Sequence, residues 1–176
     1  QDSVARTAHG NISGAVHSYH AAKDKGIQPL IGCELYVCKN ESHREKPDGQ
    51  GENYNHLLVL AENEEGYRNL VKITSEASLN GMYYKPRISK KYLAEHAHGL
   101  IGLSGCLAGE LCENLMSGKY DGARKSAATY QEIFGKGNFF LEIQDQELAE
   151  EKRIHSGLYK LEADLGLPLV ATNAWH

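Results

Sequence analysis

One local pattern constrains this chain more than any other. Three times a glycine, then an apolar residue, then a short apolar run follow a helical stretch: Gly26-Ile27, Gly99-Leu100 and Gly166-Leu167. Glycine ends helices well because it enters the left-handed region at no steric cost. A strand that is apolar on both faces needs cover on both faces, and helices supply it. The repeat therefore predicts an α/β fold with a parallel sheet wrapped by helices. An open doubly wound sheet and a barrel both satisfy the pattern.

The rest of the chain fits that alternation. Ile12, Ala15, Val16, Tyr19 and Ala22 recur at helical spacing, and Leu30 to Cys38 is a dense apolar run of strand length. Residues 41–54 are polar and Gly-rich, which predicts an exposed loop. His56 to Ala61 is the next strand. Asn63, Glu64 and Glu65 place a cap and two acids at the positive end of a helix with an inner face of Tyr67, Leu70, Val71, Thr74 and Ala77. Gly81 to Ser89 is a connection rich in aromatic and basic residues. A short helix over Lys90 to His96, a strand from Gly99 to Ser104 and a helix from about Leu107 to Met116 follow. A stripe from Tyr120 to Phe134, a strand from Phe139 to Ile143, a helix ending at Leu165 and a strand from Leu167 to Thr172 complete the order. Ser3 to Thr7 reads as a strand without a preceding element, and His176 directly follows a strand, so a fragment of a longer protein is expected.

Charge and cysteine content narrow the functions. Nineteen Lys plus Arg against 23 Asp plus Glu give a net charge of -4, unlike a domain whose main task is gripping nucleic acid. With 41% apolar and 24% charged residues, a disordered tail or a coiled coil is a poor reading. No apolar run reaches the roughly 20 residues that span a bilayer. Cys33, Cys38, Cys106 and Cys112 form no Cys-x-x-Cys pair, so reduced thiols are expected rather than a zinc ribbon or a disulfide framework.

Active sites in parallel α/β folds gather beyond the carboxyl ends of the strands. His9, Cys106 and His176 fall near such places, and His56 opens a strand after a polar loop. Glu34 interrupts an otherwise apolar run, where a carboxylate needs a salt bridge or a metal. Imidazole, carboxylate and thiolate together suit zinc or manganese chemistry. The competing readings are a side-chain cation beside Glu34 and a packed thiol at Cys106. His17, His20, His43, His96, His98 and His155 read as polar surface, and Cys33, Cys38 and Cys112 as packing. Gly102 to Gly109 opens a helix but matches neither a dinucleotide fingerprint nor a P-loop, so close strand–helix packing is its simpler cause. Lys85 and Arg87, beside Tyr83 and Tyr84, are weaker candidates for contacts to phosphate, with a solvated basic loop as the alternative.

Seven strings in order carry a resemblance. They are Thr7-Ala8-His9-Gly10-Asn11 with Gly14, Ile31-Gly32-Cys33-Glu34, His56-Leu57, and Glu64-Glu65-Gly66-Tyr67-Arg68-Asn69-Leu70. Tyr84-Lys85-Pro86-Arg87-Ile88, Leu103-Ser104-Gly105-Cys106-Leu107, and Ala171-Thr172-Asn173 with His176 follow. Together they resemble the PHP domain (polymerase and histidinol phosphatase) at the amino end of bacterial replicative DNA polymerase III alpha subunits. The resemblance covers essentially residues 1–176 as one domain.

It implies an irregular, TIM-like parallel β/α barrel with a zinc or manganese cluster at the strand ends. The implied ligands are His9, Glu34, His56, Cys106 and His176. In intact members these metals serve phosphoester hydrolysis, including 3′–5′ exonuclease activity; in others the domain is a scaffold for a separate exonuclease subunit. The family's opening His-x-His is absent here, and Ala8 and Ala174 stand where the family usually has Asp, so a partly degenerate site is expected. The implied parent is a cytoplasmic bacterial DNA polymerase using magnesium, with other replisome subunits as partners and DNA bound through the parent chain. A free-standing PHP phosphoesterase acting on small phosphorylated molecules is the alternative.

Overall fold

The computed structural model describes residues 3–9, 25, 28–47, 53–105, 109–144 and 151–171. By contact the chain divides into two compact units, Gln1–Ile101 and Gly102–His176. The expected first helix, around residues 12–22, lies outside the described residues.

In the first unit, β2 (Gln28–Cys38) is the strand to which the others attach. β1 (Ser3–His9) runs parallel to it from Ser3↔Gln28 to His9↔Glu34. β3 (Tyr54–Ala61) runs antiparallel along residues 31–38 of β2. β5 (Lys85–Ile88) is parallel to β2 at Tyr36↔Arg87 and Val37↔Ile88, and β4 (Met82–Tyr83) folds back on β5.

Two of these pairings differ from the expected parallel sheet. Between β2 and β3 the described residues of the loop, 39–47 and 53, hold no helix, and the two strands pair antiparallel, which needs no crossover helix. Lys39 N–H donates to Asn53 O at 3.2 Å and closes the base of that loop. The expected aromatic connection at 81–89 is a short hairpin, turned by Tyr84 at φ 61°.

β3 alternates strictly: Asn55, Leu57, Val59 and Ala61 are buried, while Tyr54, His56, Leu58 and Leu60 are half-exposed. α1 (Glu64–Asn80) begins at Asn63, whose side chain accepts the Gly66 N–H at 2.9 Å, and buries Leu70, Ile73, Thr74 and Ala77. Its Gly66 touches the backbone before the next strand so closely that an added Cβ would lie 1.9 Å from Gly99 O. Gly99 itself sits at φ +76°, so the recurrent glycine is required here by backbone conformation and by approach. α2 (Lys90–Glu95) starts at Ser89, which accepts the Tyr92 N–H.

β6 (Leu100–Leu103) straddles the division. In the second unit β6, β7 (Phe139–Ile143) and β8 (Leu169–Ala171) pair in parallel. α3 (Glu110–Met116), α4 (Tyr120–Phe134) and α5 (Glu151–Leu165) accompany them. α4 buries Ala123, Ser126, Ala127, Tyr130 and Phe134, close to the expected stripe. A Cβ on Gly102 would meet the Phe134 ring at 2.4 Å, so close packing accounts for this glycine. Gly166, at φ +66°, ends α5 as expected. The chain is thus mixed α/β with mostly parallel ladders, as the resemblance implies.

Candidate metal centre

β3 occupies one edge of β2, so β1 and β5 share the other edge end to end. β1 stops at His9 opposite Glu34, and β5 begins its pairing at Tyr36. Glu34 therefore sits where β2 changes partners, beside a strand's carboxyl end. Such switch points leave a crevice between diverging chains.

Register brings the next residue to the same place. Glu34↔Leu58 and Tyr36↔His56 are the ladder partners, so Glu34 and His56 are diagonal neighbours on one sheet face. His56 Nδ1 and Glu34 Oε1 are in direct contact. Their side chains are 28% and 21% exposed, which leaves both within reach of a ligand. In the tautomer whose Nδ1–H donates to the carboxylate, His56 presents Nε2 as a lone pair. This is the arrangement that orients imidazoles toward metals. A carboxylate and an imidazole, half-open at a strand end, fit a zinc- or manganese-type ion in donor chemistry. Among the described residues no group of three such donors comes together.

Aromatic rings wall this pair. Tyr36 meets His56 edge-on at 5.2 Å between centroids, and Tyr54 stacks on His56 at 6.0 Å. Burial first, and then the Glu34 carboxylate, hold the Tyr36 phenol above its ordinary range. Lys85 is exposed, with Nζ 5.8 Å from the centre of the Tyr36 ring.

Arg87 behaves differently from the phosphate contact expected of it. It is 1% exposed, and its guanidinium donates to Gly81 O at 3.3 Å, His43 O at 3.2 Å and Glu45 O at 2.9 Å. A cation enclosed by main-chain carbonyls pins the 39–47 loop and has no surface left for a phosphate.

His43 also departs from the polar surface expected of it. It is 6% exposed, with Nδ1 at 3.0 Å from Ser89 Oγ and Nε2 at 2.9 Å from Glu76 Oε1. Glu76 also accepts from Arg44 and Asn80. The His43 hydrogen bond is the main cause holding the Glu76 carboxyl below its usual range, with Asn80 and Arg44 assisting. Sequence reading missed this network because its partners come from distant segments; only the polar His-Arg pair inside the loop signalled it.

The remaining candidates fall as follows. His9 is placed by backbone register at Glu34. Ala8 pairs with Cys33 in the same ladder. Cys106, Ala174 and His176 lie outside the described residues. Cys33, Cys38 and Cys112 are buried thiols with no disulfide, in keeping with a packing role. No helix among the described residues is long and apolar enough to cross a membrane.

Comparison with known proteins agrees with this architecture. Residues 1–146 match the PHP domain family. The chain is 46% identical over 176 residues to the DNA polymerase III subunit alpha of Treponema pallidum, covering 100% of this chain and 15% of that protein. It is 42% identical to the corresponding subunit of Deinococcus radiodurans, covering 98% and 13%, and 41% identical to that of Thermus aquaticus, covering 98% and 14%. The chain thus spans only a small part of the length of these relatives. A family match over most of the chain, strand-end placement of Glu34 and His56, and uniform likeness to alpha subunits lead to one assignment: the chain belongs to the PHP domain family, in the branch found in DNA polymerase III alpha subunits.

Proposed function

We propose that this chain is the PHP domain of a replicative DNA polymerase III alpha chain in the bacterial cytoplasm. In this reading it is a scaffold and partner-binding module carrying a partly degenerate, metal-dependent phosphoesterase site of the 3′–5′ exonuclease kind. The parent chain synthesises DNA with magnesium, and this domain contacts the rest of that chain, a separate exonuclease subunit and other replisome subunits.

The observation that carries the site is the Glu34–His56 contact beside the end of β1. His9, Glu34, His56, Cys106 and His176 would hold zinc or manganese. When bound, such an ion supplies Lewis acidity toward a phosphoester and makes water acidic enough to attack near neutral pH. Glu34 holds the His56 ring in one tautomer and orientation, and Tyr36 and Tyr54 limit its rotation. Ala8 and Ala174 remove two carboxylates from the family's pattern, which lowers the negative charge available to offset a cation.

Elemental mass spectrometry of the purified chain, alone and with Ala8→Asp and Ala174→Asp, tests this. Stoichiometric zinc or manganese in either form supports the site, and uptake only after restoration supports its degeneracy. Absence of metal from both forms after exposure to zinc and to manganese would remove the metal centre from the proposal.

A further inference from the structure

Exposed apolar side chains are not spread evenly over this chain. Among the described residues five large ones stand open to water, and three of them, Leu79, Met82 and Tyr84, fall within six positions at 80%, 59% and 79% exposure. They mark the corner where α1 ends and the β4–β5 hairpin begins. Scattered exposed apolar groups need no explanation, but a cluster marks a surface that meets something. Charge is missing from the same corner. From Ser75 to Tyr84 the exposed positions are Ser75, Ser78, Leu79, Asn80, Met82 and Tyr84, in a chain that is 24% charged. Glu76, within that stretch, is turned to His43 and Arg44. Loss of charge with gain of Met and aromatic side chains is the signature of an interface core.

The corner is also rigid. Gly81 N–H donates to Ala77 O at 3.0 Å, and Gly81 O accepts the Arg87 N–H at 3.1 Å and Arg87 Nε–H at 3.3 Å. A Cβ on Gly81 would lie 1.9 Å from Arg87 O, so the helix end and the hairpin cross in contact. The Arg87 guanidinium lies 5.4 Å from the Tyr83 ring centre, and Tyr83 backs the Tyr84 ring edge-on at 4.8 Å. The Tyr84 backbone is at φ 61°, a conformation that costs a bulky residue free energy. A locked frame that presents apolar groups has already given up the entropy that docking would otherwise cost.

We infer that the Leu79–Met82–Tyr84 corner seats an apolar, uncharged face of the parent alpha chain that lies outside these 176 residues. A charged partner finds no opposite charge here. An intermittent partner would leave the corner in water between encounters, whereas a covalently joined domain keeps it covered, and permanent interfaces are the more apolar ones. The chain corresponds to only 13% to 15% of the three relatives above, so most of such a parent lies beyond it. The inference rests on the alpha-chain reading above and is independent of the metal centre.

The test is hydroxyl-radical footprinting of the full-length alpha chain, read by mass spectrometry at Met82 and Tyr84 against the same chain unfolded in urea. Seated side chains are expected to oxidise at least about fivefold more slowly in the folded protein, the protection of an interface core. Tyr84 replaced by p-benzoylphenylalanine then identifies the occupant, and a cross-link to the same polypeptide beyond this domain is expected. Met82 and Tyr84 oxidising near the unfolded rate would overturn the seat, as would a cross-link to anything else: a second copy, another subunit or nucleic acid. A natural gene product that ends with this domain would instead sink the alpha-chain reading itself, and the seat with it.

Discussion

The two units each place a carboxylate among apolar neighbours, and they use it differently. In the first, Glu34 meets His56 on a half-open sheet face at a strand end. In the second, Glu110 in the first turn of α3 accepts Ser126 Oγ–H at 2.8 Å and Tyr130 O–H at 3.0 Å, both from the inner face of α4. Hydroxyl donors stabilise a carboxylate, and the helix start adds a favourable dipole. The partner of Glu34 is instead a half-exposed imidazole from the neighbouring strand. The contrast teaches that an acid in an apolar run is a question whose answer lies in its partner.

The predictions that sharpen this contrast descend in size. Arg87→Met should cost most, about 3 kcal/mol, because Gly81, His43 and Glu45 carbonyls lose a charged donor at a buried site. Urea denaturation measures it; a change under about 0.5 kcal/mol would mean that the loop is not pinned there. Glu110→Ala should cost about 2 kcal/mol by leaving the Ser126 and Tyr130 hydroxyls unsupported. An unchanged midpoint would erase the structural role assigned to it.

Glu76 gives a smaller effect, confined to acid. Its folded-state pKa is depressed, chiefly by His43. The stabilisation is therefore present above the unfolded carboxylate value and is lost as pH falls through the lower folded value. Glu76→Gln should flatten the acid limb of a stability–pH curve, from the ordinary carboxylate value down to the lower folded one. An identical limb would show that the carboxylate's pairing is energetically silent. Smallest in stability is Glu34→Gln, expected within about 0.5 kcal/mol of the parent, yet it should lower metal uptake. A loss as large as that for Glu110→Ala would turn Glu34 into a structural acid and break the comparison.

Much of this was legible in the chain. Periodicity located α1, α4 and α5, because an amphipathic stripe needs only local order. Glu34 and His56 stood out singly, as an acid in an apolar run and a histidine at a strand start. Their meeting was implied by the resemblance but not by local pattern, since a diagonal across an antiparallel ladder depends on register. The antiparallel pairing of β2 and β3 was hidden for a related reason: apolar runs show that strands exist, not in which direction they run. Arg87 and His43 were misread because their burial is created by Glu45, Glu76 and Ser89 arriving from elsewhere. Local charge suggested water where tertiary contacts exclude it.

The dependence on register has one further consequence. Side chains on a strand alternate faces, so a slip of β2 by one residue would turn the buried Cys33 and Leu35 to the face that holds His56 and take half-exposed Glu34 to the opposite one. A sheet misaligned by one residue therefore cannot present the carboxylate to the imidazole. The contact between the pair is thus a marker of strand alignment, made only where β2 and β3 bring the two side chains to one face.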